Sequence, residues 1–570
     1  MAVNRPDFPR LPVQGVAVDR DVMVTMRDGV RLAVDVYRPE EGAGERYPAL
    51  LAASPYQKDL AGLPAVPMYP MRETGPIEWY VKRGYVYVLA DLRGTGKSEG
   101  VWEVLSETEQ RDLYELVEWV AAERWCTGRV GMIGQSYYGM VQWLAAIQKP
   151  PHLTCIVPYD ASVDEYREAA FHGGIPSSGF ITLWSFLVRG LHAYGARGVE
   201  KLRQLGPGVE HAVLEHQTDD AHWRERSAYW RLDEIDIPVF SIGNWGKNAR
   251  HLRGNILGFE KVTGPKRLVV EEGARPHSLN VAKALMDFES PEFHERLLAP
   301  WYDHWLKGED TGVMDEPPVE LFVSGVDEHW SFQTWPPPGV EYRPYYLTAG
   351  PSGGVTSLND GGLSLDRPSN PASSTTYSYP QAEWHLGTTM INSQGQPNTV
   401  ARILTFTSAP LEADLAVIGS VTLVLHASSD QVDTDFIVRL CDQLPQPKPL
   451  ADDVAPPAHI ISRGWLRASH RALDAGESSQ VRPFHPHDDP EPLEPGQVYR
   501  FDIEIWPMGH VFRRGHRLRL ELANGDSPVT DGIFTHFYGA KAGADTVYHE
   551  AEYPSHLVLP VLVERTLRPG

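Results

Sequence analysis

The chain has 570 residues, 42% of them hydrophobic, and this length favours two to four domains with large buried cores. Its formal net charge is −23, which argues against binding to nucleic acid or to an anionic membrane surface through bulk charge. The first ten residues lack the apolar core of a secretion signal and no run reaches membrane-spanning length, so we expect a soluble, cytoplasmic protein.

The three cysteines, Cys126, Cys155 and Cys441, lie far apart in the sequence and do not have metal-ligand spacing. They predict neither a disulfide framework nor a metal site. Their number and placement fit a reducing compartment.

The N-terminal third of the chain alternates predicted strands and helices. Residues 16–26 and 30–37 flank the turn Arg27-Asp28-Gly29 and predict a β-hairpin. The apolar runs 47–53 and 85–90 predict buried strands. Because strands that alternate with helices form parallel sheets, the predicted fold class is α/β.

A glycine-rich segment follows the second apolar run and ends in Gly96-Lys97-Ser98, which resembles half of a phosphate-binding loop. The glycine that such a loop needs five residues before Gly96 is Asp91, and no helical pattern begins until Ser106. A turn with an interaction between Asp91 and Arg93 is therefore favoured over nucleotide binding.

A helix is predicted to begin at Ser106, where Ser106-Glu-Thr-Glu109 has the form of a capping box. Apolar residues then recur at helical spacing, at Leu113, Leu116, Val117 and Val120. We expect these four side chains to face the core.

The stretch Gly134-Gln-Ser136-Tyr-Tyr-Gly139 joins a predicted strand, 129–133, to a predicted helix, 141–148. A glycine-x-serine turn between a strand and a helix is the geometry of a nucleophile elbow, which exposes the serine hydroxyl at the helix N-terminus. The second glycine comes one residue later than in the common Gly-x-Ser-x-Gly form, so an ordinary glycine-rich turn is the alternative. The pattern makes Ser136 the candidate nucleophile.

A serine hydroxyl needs a base to take its proton, and the base needs a group that orients it. In α/β-hydrolases the histidine follows the last strand of the sheet, and His277 has this place after the predicted strand 267–271. An ordinary loop histidine is the alternative. The backbone N–H of Tyr137 and the hydroxyl of Tyr56, which follows a strand at the same sheet edge, are candidate oxyanion donors.

Between Asp164 and Trp230 the chain is rich in aromatic residues, histidines and glycines, as expected of an inserted cap over the carboxyl edge of the sheet. Trp184 and Phe186 are its candidate pocket-lining residues, with packing inside the cap as the alternative. After Val319, short alternating strands predict an all-β sandwich or jelly roll. The predicted divisions are an α/β core at 1–163, a cap at 164–232, the rest of the core at 233–315 and a jelly roll at 316–570.

Several motifs together carry a family resemblance that runs nearly from end to end. The chain resembles the X-prolyl dipeptidyl aminopeptidase and cocaine esterase family of serine hydrolases, which also contains α-amino acid ester hydrolases and cephalosporin acylases. The matching stretches are Ser54-Pro-Tyr-Gln-Lys58, Asp91-Leu-Arg-Gly-Thr-Gly96, Gly134-Gln-Ser-Tyr-Tyr-Gly139, Trp305-Leu-Lys-Gly-Glu-Asp310, Ser408-Ala-Pro-Leu411, Asp433-Thr-Asp-Phe436 and Phe512-Arg-Arg-Gly-His-Arg517.

This resemblance implies an α/β-hydrolase fold with a helical cap insertion, followed by a C-terminal jelly-roll domain. It also implies that Ser136 is the nucleophile, that His277 is the base, and that Tyr56 and the Tyr137 N–H form the oxyanion hole.

The sequence departs from the family where the orienting acid is expected. A further strand is predicted at 237–243, and the family has Gly-x-Trp-Tyr-Asp at its end. This chain reads Gly243-Asn244-Trp-Gly-Lys247-Asn248 instead, and a lysine cannot accept the imidazole N–H. Asp160, which ends the preceding strand, is the favoured replacement, although a capping or turn residue is the alternative. Asn244 or Asn248 would orient the ring as a neutral acceptor. Glu271 and Glu272 are near the histidine in sequence but are expected to point away.

We expect an enzyme that cleaves an ester or amide bond of a small substrate through an acyl-enzyme, with no metal or organic cofactor. Alternatives are acyl transfer on the same machinery, an X-Pro-type aminopeptidase, and a binding protein on a disabled hydrolase scaffold. Peptidase members of the family recognise the free ammonium of their substrate through acidic groups in the cap. Asp164, Glu165 and Glu168 are candidates for such groups, and the alternative is that they lie on solvated helix faces. No nucleic-acid or membrane partner is expected, and homo-oligomer formation stays open.

Overall fold

The computed structural model describes residues 14–40, 44–59, 73–193, 198–272, 288–353, 357–381, 384, 403–445, 458–527, 531, 534–539 and 541–563. These residues form two large sheets, one in each half of the chain.

The strands of the N-terminal half comprise ten that form one sheet and a separate short pair. They are β1 (Val16–Thr25), β2 (Arg31–Pro39), β3 (Tyr47–Ser54), β4 (Val86–Asp91), β5 (Cys126–Met132), β6 (Leu153–Ile156), β7 (Phe171–His172), β8 (Ile175–Pro176), β9 (Val239–Asn244), β10 (Lys266–Glu271), β11 (Val319–Val323) and β12 (Glu328–Phe332). The ten-stranded sheet has the order β1-β2-β4-β3-β5-β6-β9-β10-β11-β12, and β7 pairs with β8 alone.

The centre of this sheet is parallel, from β4 and β3 through β5, β6, β9 and β10 to β11. The hairpin of β1 and β2 is antiparallel, as the sequence predicted. The carboxyl ends of the parallel strands therefore meet at one edge, where ligands bind in open α/β sheets.

The helices of this half pack against the sheet or lie in the insertion between β6 and β9. They are α1 (Ile77–Lys82), α2 (Glu107–Ala122), α3 (Tyr137–Ile147), α4 (Ser178–Ala193), α5 (Gly198–Gln204), α6 (Val209–Glu215), α7 (Ala221–Glu225), α8 (Leu252–Lys261), the 3₁₀ turns Ala228–Glu234 and Trp245–Lys247, the π turn Tyr166–Ala170, and a run of α and π turns at Pro291–Phe293, His294–Leu298, Ala299–Tyr302 and Asp303–Lys307. We call α4 to α7 the inserted helices.

The C-terminal β domain is a second, mostly antiparallel sheet of eleven strands. Only β14 and β16 pair in parallel among the strand pairs that the structure describes there. The strands are β13 (Val340–Thr348), β14 (Gly361–Ser364), β15 (Ser374–Tyr379), β16 (Leu404–Ser408), β17 (Leu415–Ser429), β18 (Asp435–Gln443), β19 (Ala458–Arg467), β20 (Tyr499–Phe512), β21 (Arg517–Ala523), β22 (Gly543–Tyr548) and β23 (His556–Leu562), with a 3₁₀ turn at Ala468–His470.

Helix α2 begins as predicted, because the Ser106 side chain accepts a hydrogen bond from the Glu109 N–H at 3.3 Å. Its predicted apolar face is buried, with Leu113, Leu116 and Val117 fully covered. A capping box also predicts that the Glu109 side chain accepts a hydrogen bond from the Ser106 N–H. This part of the prediction is wrong, since the Ser106 N–H donates to the Glu103 carbonyl at 3.2 Å. The Glu109 carboxyl group is thus available to other partners.

The predicted interaction between Asp91 and Arg93 is also wrong. The Asp91 carboxylate accepts hydrogen bonds from the backbone N–H groups of Lys58 at 2.7 Å and Lys97 at 2.8 Å. Arg93 instead pairs with Asp112 of α2 and with Asp28, each at 2.7 Å. Asp91 ends β4 beside the end of β3, so its carboxylate meets the neighbouring loop, while Arg93 lies past the turn beside α2.

All three cysteines are buried and unpaired. Among the helices that the structure describes, none is long and apolar enough to cross a membrane.

Helix α3 lies so close to the segment after β6 that a side chain at position 139 would have no room. A Cβ atom there would lie 2.6 Å from the Tyr159 carbonyl oxygen and 3.0 Å from the Ala161 Cβ. Gly139→Ala should therefore lower the free energy of unfolding by about 1–3 kcal/mol, measured by urea titration.

The matched control is Gly190→Ala in α4, where a Cβ atom would meet nothing within 4 Å. Alanine is the better helix former, so this variant should be unchanged or more stable by up to about 1 kcal/mol. Equal stability of the two variants would contradict the close packing of α3.

Candidate active site

Ser136 lies on a sharp turn between β5 and α3. Its backbone has φ 62° and ψ −120°, a left-handed conformation that is strained for a serine. Every other residue from 130 to 147 is buried, whereas Ser136 is partly exposed. The turn therefore presents this side chain, and no other of its neighbourhood, to solvent.

Backbone hydrogen bonds hold the turn in place from both sides. The Ser136 N–H donates to the Tyr159 carbonyl at 3.0 Å, and the Gln135 N–H donates to the Glu73 carbonyl at 3.0 Å. Gly134 has φ 132°, and a Cβ atom there would collide with the Cβ of Tyr138. These constraints explain the first glycine of the motif, while the packing of Gly139 against residue 159 explains why the second comes one position late.

Tyr137 is the first residue of α3, so its backbone N–H has no acceptor within the helix and lies at the positive end of the helix dipole. Its hydroxyl donates to the Glu109 carboxyl group at 2.9 Å, and the Trp102 indole N–H donates to the same group at 3.1 Å. Burial raises the pKa of Glu109 to about 8. Sequence reasoning missed Glu109 as a site residue because its pattern indicated only a helix cap.

Tyr56 follows β3 and is 4% exposed. The Trp184 indole N–H, from α4, donates to the Tyr56 hydroxyl oxygen at 3.1 Å. The Trp184 ring also stacks on the Tyr137 ring, with centroids 6.1 Å apart and an interplanar angle of 6°. An inserted helix thus fixes two aromatic residues that flank the candidate nucleophile.

A cavity of about 280 Å³ opens beside these residues. Its described lining includes Tyr56, Ser136 and Tyr137, the apolar side chains of Met140, Phe180, Ile181 and Trp184, and the charged groups of Glu165 and Arg250. The prediction that Trp184 lines a pocket is confirmed. That for Phe186 is wrong, because a residue two positions along a helix faces away, and Phe186 is 67% exposed.

Asp160 is fully buried beneath the elbow. Its carboxylate accepts hydrogen bonds from the Gln135 side-chain amide at 2.7 Å and from the Asn244 amide at 2.7 Å. Burial raises the pKa of Asp160 to about 6, and the positive charge of Lys247 opposes this shift. Two neutral amides and a nearby lysine therefore surround Asp160, the favoured candidate for the group that orients the histidine.

The other candidates for the orienting group lie in different surroundings. The Asn248 side chain donates to the Ile461 carbonyl at 3.0 Å and accepts from Arg463 at 2.9 Å, so both of its ends contact the C-terminal β domain. Glu271 pairs with Arg296 at 2.6 Å. Glu272 lines a second cavity. Among the hydrogen bonds of the described residues, Asn244 is the only one of these four that contacts Asp160, and it does so as a donor.

His277 lies outside the described residues, so its predicted role as the base stays a prediction.

Three acidic residues near the insertion are neither exposed nor isolated, so their interpretation as solvated helix faces is wrong. Asp164, Glu165 and Glu168 are all buried. They pair with Arg167 at 2.9 Å, Arg250 at 3.6 Å and Arg253 at 3.5 Å, in that order. Each carboxyl group thus has a buried guanidinium beside it.

Two family models match the chain. Residues 28–275 match the X-Pro dipeptidyl-peptidase (S15 family), and residues 311–558 match the X-Pro dipeptidyl-peptidase C-terminal non-catalytic domain. The chain belongs to the S15 family. As a member of this family of serine hydrolases it is an enzyme that acts on an ester or amide bond, which confirms the resemblance and the predicted enzyme class.

Relatives of this S15 member match over nearly the whole chain. Cocaine esterase from Rhodococcus sp. (strain MB1 Bresler) is 29% identical, over 96% of this chain and 99% of its own. A CocE/NonD family hydrolase from Staphylococcus aureus has a TM-score of 0.78 at 26% identity, over 96% of this chain and 93% of its own. An α-amino acid ester hydrolase has a TM-score of 0.70 at 21% identity, over 98% and 100%, and shares the fold. The predicted α/β hydrolase domain followed by a separate β domain is thereby confirmed.

Glu109 provides a test of the buried contacts behind Tyr137. Its pKa of about 8 in the folded protein lies above its usual value of 4.5, so folding favours the protonated form. This stabilisation is fully present below about pH 4.5 and is lost as the pH rises through about 8. Compared with Glu109→Gln, which cannot ionise, the wild-type free energy of unfolding should fall by about 1.4 kcal/mol more per pH unit within this window.

Urea unfolding of both proteins at pH 5, 6 and 7 measures this difference. A difference that does not change with pH would mean that the Glu109 carboxyl group is already ionised in the folded protein.

Proposed function

We propose that this enzyme hydrolyses small carboxylic esters through an acyl-enzyme formed on Ser136. The observation that carries the proposal is the strained turn, which places one partly exposed serine at a helix N-terminus and at the wall of a cavity of about 280 Å³. Strain of this kind persists only where the surrounding structure holds it, and it clusters at active sites.

In the proposed reaction, the Ser136 oxygen attacks the ester carbonyl carbon while His277 takes the hydroxyl proton. The backbone N–H of Tyr137 and the Tyr56 hydroxyl donate to the oxyanion that forms. His277 returns the proton to the leaving alcohol, and water then repeats the sequence to release the acid. The helix dipole of α3 adds to the stabilisation of negative charge at this point.

Asp160 is the proposed partner of the far nitrogen of His277. A carboxylate has about four acceptor positions, and the two amide groups of Gln135 and Asn244 leave room for an imidazole N–H. Both amides donate to the carboxylate, so they hold it in one orientation and support its ionised form. Asn248 is not proposed, because both ends of its amide contact the C-terminal β domain.

We also propose that the inserted helices act as a cap and that the C-terminal β domain is a jelly roll. The contributions of Phe180, Ile181 and Trp184 from α4 to the cavity support the first proposal. The multiple pairing of β17 with β20, β22 and β23, which curls the sheet on itself, supports the second.

The cavity favours an ester without a free ammonium group over an X-Pro dipeptide. Recognition of an ammonium needs an available, buried carboxylate. Glu165 of the cavity wall faces Arg250 at 3.6 Å and accepts a hydrogen bond from Ser162 at 2.7 Å. Of the two other acids in the described wall, Glu215 lies 3.1 Å from His211 and Glu103 is exposed to solvent. Much of the remaining wall is apolar. An uncharged acyl group therefore fits this surface best.

A panel of chromogenic esters with varied acyl groups, assayed beside an X-Pro amide, tests the substrate class. We expect the esters to have the higher kcat/KM and Ser136→Ala to abolish their turnover while the protein remains folded. Faster cleavage of the X-Pro amide would contradict the substrate class, and near-normal ester turnover by Ser136→Ala would contradict the nucleophile.

Asp160→Asn tests the orienting group. It should lower kcat by about 10⁴-fold, since the amide cannot stabilise the imidazolium formed during attack. Because the pKa of Asp160 is about 6 and the ionised form is needed, wild-type kcat/KM should also fall as the pH drops through about 6. The control Asn248→Ala should have a small effect on kcat. A larger loss in the control than in Asp160→Asn would overturn this assignment.

A further inference from the structure

A second cavity, of about 460 Å³, lies where the two domains meet. The hydrolase domain contributes Trp245, Ser324 and Gly325 to its wall, and the C-terminal β domain contributes Asp442, Met508 and His510. None of these residues lines the cavity beside Ser136. The two cavities are therefore separate sites.

A chain of hydrogen bonds joins a serine, a histidine and an aspartate in this wall. The Ser324 hydroxyl lies 2.7 Å from the Nδ1 atom of His510, and the Nε2 atom of the same ring lies 3.0 Å from the Asp442 carboxylate. His516 contacts Asp442 through its Nδ1 atom at 2.9 Å and so holds the carboxylate from a second side.

The chemistry of these groups determines the direction of the chain. A carboxylate can only accept, so the Nε2 atom of His510 carries the hydrogen that faces Asp442. In the neutral ring Nδ1 then has the lone pair, and the hydroxyl of Ser324 donates to it. An oriented imidazole that accepts the proton of a serine is the arrangement that activates a serine nucleophile, here with the two ring nitrogens in exchanged roles.

The position and exposure of the three residues also suit a reaction. Ser324 directly follows β11, a parallel strand, so it lies at the carboxyl edge of the hydrolase sheet. Ser324 is partly exposed, whereas His510 and Asp442 are buried. Its backbone is fixed by hydrogen bonds to the C-terminal domain, from the Ser324 N–H to Gly509 at 3.1 Å and from Val511 to the Ser324 carbonyl at 2.8 Å.

Two other interpretations of the cluster are less favoured. Among the described residues, no group of three or more His, Cys, Asp and Glu side chains could hold a metal ion, which argues against a metal site. The Ser324 hydroxyl also lies 3.2 Å from the Gly509 carbonyl, which offers a purely structural hydrogen bond. The imidazole nitrogen is the nearer acceptor, at 2.7 Å.

We propose that Ser324, His510 and Asp442 form a second nucleophilic centre, which accepts the acyl group of a small carboxylic ester bound in the second cavity. The Ser324 oxygen bonds to the carbonyl carbon as its proton moves to Nδ1 of His510. The bond to the leaving alcohol breaks, and the alcohol takes that proton. Water then attacks the acyl-serine through the same base and releases the acid. The Arg513 guanidinium, also in the cavity wall, pairs with Asp414 at 3.2 Å and has further N–H groups that we propose as donors for the developing negative charge.

The test is made in full-length Ser136→Ala, which removes the first nucleophile. A small alkyl fluorophosphonate is added, and peptide mass spectrometry locates the label. We expect phosphonylation at Ser324, with fluoride as the leaving group, and none in the double variant Ser136→Ala/Ser324→Ala. We expect Ser324 in Ser136→Ala/His510→Asn to be labelled about 10²-fold more slowly than in Ser136→Ala, since the double variant lacks the proposed base.

Each variant is first checked for wild-type unfolding midpoints in urea. A second readout, hydrolysis of p-nitrophenyl acetate, should be at least about 10-fold faster in Ser136→Ala than in the double variant with Ser324→Ala. Absence of label from Ser324 in folded Ser136→Ala would overturn the proposal, and so would a labelling rate that does not depend on His510. Because Ser136 is absent throughout, neither result depends on the function proposed for the first site.

Discussion

The strained backbone of Ser136 is the constraint on which the first site depends. A non-glycine residue at positive φ costs about 1–3 kcal/mol, and the surrounding packing must offset this cost. The offset comes from the burial of all of α3 and from the hydrogen bond between Ser136 and Tyr159. Gly139 allows the close approach that makes this bond. A partly exposed serine held in one backbone conformation follows from this arrangement, and such positioning suits the nucleophile role that we propose for it.

Buried carboxyl groups support the site from below, and neutral groups rather than cations orient them. Gln135 and Asn244 donate to Asp160, while Tyr137 and Trp102 donate to Glu109. Burial raises the pKa of both acids, so their protonation responds to pH nearer neutrality than that of an exposed carboxyl group. Asp160 lies after β6 and Asn244 ends β9, the next strand in the sheet, so the acid that we propose as the orienting group follows the strand beside the one where the sequence lacks it.

Three arginines near the insertion pair with buried acids, and one of these pairs, Arg250 with Glu165, lines the first cavity. Arg167, Arg250 and Arg253 each lie beside one of three buried acids, and a buried charge is tolerated only when it is paired. Glu165 of the cavity wall therefore has a cation beside it, while Glu103 and Glu215 are further acids of the same wall. Arg167 also donates to the His485 carbonyl of the C-terminal half at 2.8 Å, so the same residues attach the insertion to the β domain.

The sequence by itself determined the features that depend on neighbours in the chain. The hairpin of β1 and β2, the start of α2, the buried face of that helix and the strand-to-helix turn at Ser136 all follow from turn residues and from periods of 2 and 3.6 residues. Only the tertiary structure decided which distant side chains meet. Arg93 pairs with Asp112, Glu109 with Tyr137, Asn248 with Arg463 and Ser324 with His510. Such contacts join elements up to hundreds of residues apart in the sequence. The sheet order and the helix placement bring these elements together, and the local pattern of a single sequence does not predict either.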